Sequence, residues 1–271
     1  LNFGHRPLRA LVFVAGLASL PIFAASAQAQ SVALPSSAAT SAKTHDQAIL
    51  SAVRSGDVNL ARSLLEQGAN PDTTTGDRNS RSLLIMATIL GDLEMAKLLL
   101  ANRASVDQQD ADGLTALNWA ALRGRTAVAK LLLEHHASVD MADQQEVTPL
   151  LYAIGTRNRE LSQLLLARGA NPNAESKANK ITALLLAVEN RDNYLTGALL
   201  DHGAAVDGSN SDGYSALMAA SAAGDLALVE LLLSHGALPE LTDHKGRTAE
   251  NFAQREGHDE IVALLRTTPG Q

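Results

Sequence analysis

Six hydroxyl residues, Ser82, Thr115, Thr148, Thr182, Ser215 and Thr248, recur along this chain at spacings of 33, 33, 34, 33 and 33 residues. An alanine follows each by five positions: Ala87, Ala120, Ala153, Ala187, Ala220 and Ala253. A leucine follows five of the six by two: Leu84, Leu117, Leu150, Leu184 and Leu217. A fixed period near 33 means that one small structural unit is copied, each copy completing its core only against its neighbours. A further copy, without the hydroxyl, occupies residues 47–70.

Elementary helix chemistry accounts for the pattern within one copy. Over residues 115–137 the Thr115 hydroxyl suits the N-cap of a first helix, Ala or Pro suits its first turn, and Leu117 and Ala120 face inward. Gly124 breaks that helix. In other copies an acid or amide follows the break and caps a second helix: Asp57, Asp92, Asn158, Asp192 and Asp225. The second helix carries a leucine run, as at residues 98–100, 131–133, 164–166 and 231–233. Gly68, Gly169, Gly203 and Gly236 then permit a left-handed closing residue, whereas Arg103 and His136 stand there in two copies and predict weaker ends. The last copy carries Glu250, Asn251, Gln254, Arg255 and Glu256 where earlier copies are apolar, as an outermost face in water requires. Ser51, Arg54 and Ser55 suggest the opposite cap.

The opening Thr148-Pro149-Leu150, with weaker copies at Thr115-Ala116-Leu117 and Ser215-Ala216-Leu217, resembles the T-P-L-H-x-A signature of the ankyrin repeat. That resemblance implies an all-α ankyrin-repeat solenoid of about seven helix-turn-helix units with β-turn fingers, over residues 46–268. A chain 46% hydrophobic but only 3% aromatic suits helices packed closely through small side chains.

The N-terminus reads as a secretory signal over residues 1–29: His5, Arg6 and Arg9, an apolar run over residues 10–20, and the cleavage motif Ala27-Gln28-Ala29. Eleven apolar residues are too few for a spanning helix, which needs about 20. No membrane attachment is expected once the signal is removed. Residues 30–45, rich in Ser, Ala and Thr, read as a flexible linker. Export to the periplasm is the expected destination, with full secretion as the second choice. The net charge of −7 repels phosphate backbones and argues against nucleic-acid binding. The absence of cysteine excludes disulfides, thiolate metal sites and a cysteine nucleophile.

No catalytic, cofactor-binding or metal-ligating set is expected, and the chain is read as a non-enzyme. His135, His136, His202 and His235 fall near second-helix C-termini, where a cation suits the helix dipole. No G-x-S-x-G and no glycine-rich phosphate loop occurs.

Surface remains as the carrier of function. The residue before each helix-opening hydroxyl reads Arg81, Leu114, Val147, Ile181, Tyr214 and Arg247, four apolar positions bracketed by arginines. Trp119 and Tyr152 share one position in adjacent copies. In the family, finger tips and the first-helix face form the concave surface that grips partners, so these eight residues are the candidate binding set. The same residues also suit a second reading, in which the finger position is half-buried against the next unit and Trp119 and Tyr152 are core. The partner expected is another protein, bound by a chain that is monomeric alone. The family's exported members imply support of a periplasmic enzyme or immunity-type inhibition of a toxin, with a host-directed effector as a further alternative.

Overall fold

The computed structural model describes residues 37–267; the expected export signal and the first part of the expected linker lie outside them. The described chain contains fourteen helices, in seven pairs. It divides into two compact units that meet in sequence between Gln144 and Gln145. The N-terminal unit holds α1 (Ser37–Ser55), α2 (Val58–Glu66), α3 (Leu83–Leu90), α4 (Leu93–Ala101), α5 (Ala116–Arg123) and α6 (Thr126–Glu134). The C-terminal unit holds α7 (Pro149–Gly155), α8 (Arg159–Ala167), α9 (Ala183–Glu189), α10 (Asn193–Asp201), α11 (Ala216–Ala223), α12 (Leu226–Ser234), α13 (Ala249–Glu256) and α14 (Asp259–Thr267). Because α1 begins at Ser37, residues 37–45 are helical rather than part of a linker. Among the described residues no helix is long and apolar enough to cross a membrane.

Every helix start foreseen from the repeat is present. The hydroxyls of Ser82, Thr115, Thr148, Thr182, Ser215 and Thr248 each accept from the backbone amide three residues on. Asp57, Asp92, Asn158, Asp192 and Asp225 do the same for the second helices. Only α6 opens without a side-chain cap among these, because Arg125 stands where the others have an acid or amide. The αL closing conformation is also kept where glycine is missing, with φ of 67° at Arg103 and 63° at His136.

Within each unit first helices pack on first helices and second on second: α3 on α5 and α4 on α6, then α7, α9, α11 and α13 in one layer and α8, α10, α12 and α14 in the other. The repeated alanine is what permits the close approach, since Ala87, Ala120, Ala153, Ala187, Ala220 and Ala253 are all fully buried. The second layer is filled by one leucine per pair, Leu99, Leu132, Leu165, Leu199 and Leu232, each likewise without exposed surface. The two ends are wet, as expected: Ser51, Arg54 and Ser55 are exposed on α1, and Asn251, Gln254, Arg255 and Glu256 on α13.

Consecutive fingers are tied to one another by backbone hydrogen bonds. The amide of Ala111 donates to the Asn79 carbonyl and that of Gln144 to Asp112 in the N-terminal unit. In the C-terminal unit Lys177 donates to Gln145, Ser211 to Asn179 and His244 to Asp212. The polar finger residues are therefore built into a ladder. A second set of ties uses a repeated Asp or Asn: Asp72 accepts from the Ser105 amide at 2.6 Å, Asp107 from Ser138 at 2.9 Å, Asn173 from Ala205 at 2.7 Å and Asp207 from Leu238 at 3.0 Å.

Candidate partner-binding groove

Five of the eight candidate residues are core. Leu114, Trp119 and Tyr152 are each 1% exposed, Ile181 5% and Val147 7%. The register supplies the reason. A residue directly before an N-cap (N′) packs on the fourth residue of its own helix (N4), the hydrophobic staple that fixes how a chain enters a helix. The N′ positions are the expected stripe, and the N4 positions read Met86, Trp119, Tyr152, Leu186, Ala219 and Phe252. Stripe and aromatic pair thus occupy the two positions of one local packing device, and the five residues named are buried there.

A side chain from the preceding finger reinforces this in the N-terminal unit. The Trp119 ring lies under the Arg81 guanidinium at 4.8 Å and beside that of Arg123 at 5.4 Å. Its indole N–H donates to Asp110 at 2.8 Å. Asp110 also receives the amides of Asp112 and Leu114, at 3.0 and 2.9 Å, an Asx turn that fixes the finger tip. Burial pushes the Asp110 carboxyl above its ordinary value, against those hydrogen bonds.

The staple fails at one place, in the helix pair α11–α12. There N4 is Ala219, too small to cover the N′ residue Tyr214, and Ala222 and Ala223 leave the next turn of α11 equally bare. A groove of about 750 Å³ opens over these alanines, lined also by Glu189, Tyr214, Arg247, Phe252 and Arg255. Tyr214 stays half-buried and turns its ring edge-to-face onto Phe252, with ring centres 5.1 Å apart. Asn210 holds the Tyr214 amide at 3.0 Å and so fixes its position. Burial, helped by the charge of Glu189, pushes the Tyr214 phenol up to about 12.

Two arginines that line the groove are each paired with an acid. Arg247 stacks on Phe252 at 4.5 Å and forms a forked ion pair with Asp243, through its Nε at 2.8 Å and its second terminal nitrogen. Burial raises the Asp243 carboxyl, but hydrogen bonds from the Arg247 side chain and from the amides of Arg247 and Lys245 outweigh it and bring its pKa below the ordinary value. Arg255 lies 5.4 Å from the same ring and pairs with Glu256 at 2.7 Å. Glu189, at the end of α9, also lines the groove, and burial alone raises its carboxyl to about 7.

Of the sequence-derived set, Tyr214 and Arg247 line this groove. Arg81, half-exposed over Trp119, lies in the N-terminal unit. Glu189, Phe252 and Arg255 were missed. Phe252 sits at the register of Trp119 and Tyr152, so comparing that position through every copy would have found both it and the bare Ala219. Nothing local marks Glu189, whose burial depends on its neighbours in space.

The histidines cap helices. His202 and His235 each turn Nδ1 to a carbonyl of their own helix, at 2.7 Å to Ala198 and 2.9 Å to Leu231. Among the described residues no group of three or more His, Asp or Glu could hold a metal ion.

A family model described as ankyrin repeats, in three copies, matches residues 23–110, 83–176, 157–243 and 184–270. The ankyrin repeat and KH domain-containing protein mask-1 of Caenorhabditis elegans is 33% identical over 190 residues, 70% of this chain and 6% of that protein. The chain spans 6% to 15% of the length of the curated relatives it matches. Among solved structures, the ankyrin repeat domain of Bcl-3 of the IkappaB family superposes with a TM-score of 0.71 at 28% identity, covering 81% of this chain and 97% of that one. A chain of the complex between the predatory endopeptidase Bd0816 of Bdellovibrio bacteriovorus and immunity protein Bd3460 gives a TM-score of 0.62 at 25% identity, covering 69% and 97%.

Proposed function

Because the chain belongs to the ankyrin-repeat family, a fold that serves as a scaffold for binding other proteins, we propose that it is an exported, non-enzymatic interaction module. It grips a partner protein through the groove of its C-terminal unit. The observation that carries this reading is the failed staple at Tyr214 and Ala219. On the preceding first helix Ile181 and Leu186 are both buried, whereas on α11 Tyr214 is half-exposed beside the small residues Ala219, Ala222 and Ala223. Half-buried aromatic side chains in a concave site are the kind of anchor on which binding energy concentrates. The signal-like residues 1–29 support export to the periplasm.

The likeness to a chain of the endopeptidase–immunity protein complex favours a more specific form, an immunity-type inhibitor that holds a secreted enzyme inactive. A photo-reactive amino acid tests the proposal. Placed at Ala222 it should crosslink the partner in periplasmic extract, and placed at the exposed Tyr194 of α10 it should not. Equal crosslinking from both positions, or none from Ala222, would remove the groove from the account.

A further inference from the structure

The groove carries information about the chemistry of its occupant. We propose that it receives a partner segment bearing a lysine or arginine, whose cation pairs with Glu189 while flanking apolar atoms rest on Tyr214 and the alanines of α11. The inference rests on the interaction reading above and adds the sign of the charge that the site selects.

Three observations carry it. First, three arginines that line the groove already hold oxygen partners, leaving Lys245 as the cation of the lining outside those pairs. Arg247 is bound to Asp243 and stacked on Phe252, and Arg255 is bound to Glu256. Arg191, at the rim, donates to the Ala223 carbonyl at 2.9 Å. The charges of Arg247 and Arg255 are thus balanced by acids within the protein, whereas Glu189 has no ion pair among the described residues for an incoming cation to displace. Second, Glu189 is withdrawn from water in the same groove, and burial, with no opposing ion pair, determines its state. A largely buried carboxylate without a counter-charge gains most from a ligand cation, since the site has already borne much of its desolvation. Third, the space beside it is made by Ala219, Ala222 and Ala223, with Tyr214 as its aromatic edge. A long aliphatic stem ending in a cation has that same division between apolar body and charged tip.

Fluorescence anisotropy with the full chain, at about pH 8 so that Glu189 is mostly ionised, tests this. The probes are labelled, capped peptides of one frame, LeuXLeu at the centre, in which X is Arg, Lys, Leu or Glu. The Arg and Lys peptides should bind about tenfold tighter than the Leu and Glu peptides, the worth of one charge-assisted hydrogen bond. Glu189→Gln should bring them down to the level of the Leu peptide. Ala219→Leu, which covers the floor at Tyr214, should weaken binding of the Arg and Lys peptides about tenfold or more. Equal binding of the Arg and Glu peptides, preference for Glu, a preference that survives Glu189→Gln, or no binding by any peptide would each overturn the inference. Crosslinking of a protein from Ala222 together with any of those results would leave the interaction module standing and discard only the cationic ligand.

Discussion

Glu189 shows what a single residue contributes to this fold and what it costs. An acid whose folded pKa, about 7, lies above the ordinary glutamate value of 4.5 keeps its proton in the folded chain after the unfolded chain has released it. Stability therefore falls as pH rises between those two values, and the whole penalty is present above the higher one. Glu189→Gln should leave stability unchanged below about pH 4 and raise it at pH 8. The gain is about 1–2 kcal/mol after allowing for the part of the side chain that faces water. Urea denaturation of parent and variant at the two pH values reads this directly, and parallel curves would mean that the carboxyl is not withdrawn from water. At the same scale, Asp92→Ala removes a cap whose oxygen accepts from the Met95 amide at 3.0 Å and should cost about 1 kcal/mol. The α6 start at Arg125 has no such bond to lose.

Helix ends and helix faces explain which parts of the structure were legible in the sequence. Caps lie within three residues of the groups they bond, so Ser82, Thr115 and their equivalents announced every first helix after α1, and Arg103 and His136 announced two strained ends. Arg103→Gly should raise the melting temperature by relieving a left-handed non-glycine residue. The effect is about 0.5–1 kcal/mol, read by calorimetry, since glycine adopts that conformation without the Cβ penalty. The leucine of each second helix was equally legible: Leu132→Ala, at a fully buried position of α6, should cost about 2–5 kcal/mol in denaturant titration. The candidate surface was less legible because staple and binding stripe have the same sequence appearance, an apolar residue before each cap. Only the size of the residue at N4 separates them. Leu186 at that position accompanies a buried Ile181, whereas Ala219 leaves Tyr214 half-exposed. The helix that takes up the last part of the expected linker was hidden differently: Ser, Ala and Thr at residues 37–44 match a tether in composition, and the helix they form continues into the packed residues of α1.

At the scale of the whole molecule, the repeat makes each pair depend on its neighbours within its unit through the same few ties, the buried alanine, the finger ladder and the Asp or Asn that reaches the following copy. Function in such an array comes from departures from the repeat, and the α11–α12 pair carries the departure that opens a groove. Its Ala219, Ala222 and Ala223 leave Tyr214 half-exposed, as expected where a site is held open for a ligand. The measurement that tests this most directly is the affinity of the crosslinked partner for Ala219→Leu beside the parent chain. The account predicts that the leucine restores the staple on Tyr214, raises the melting temperature and weakens partner binding about tenfold or more, the loss of one interface anchor. A variant that is equally or more stable and still binds with the parent's affinity would place the binding surface elsewhere and contradict the account.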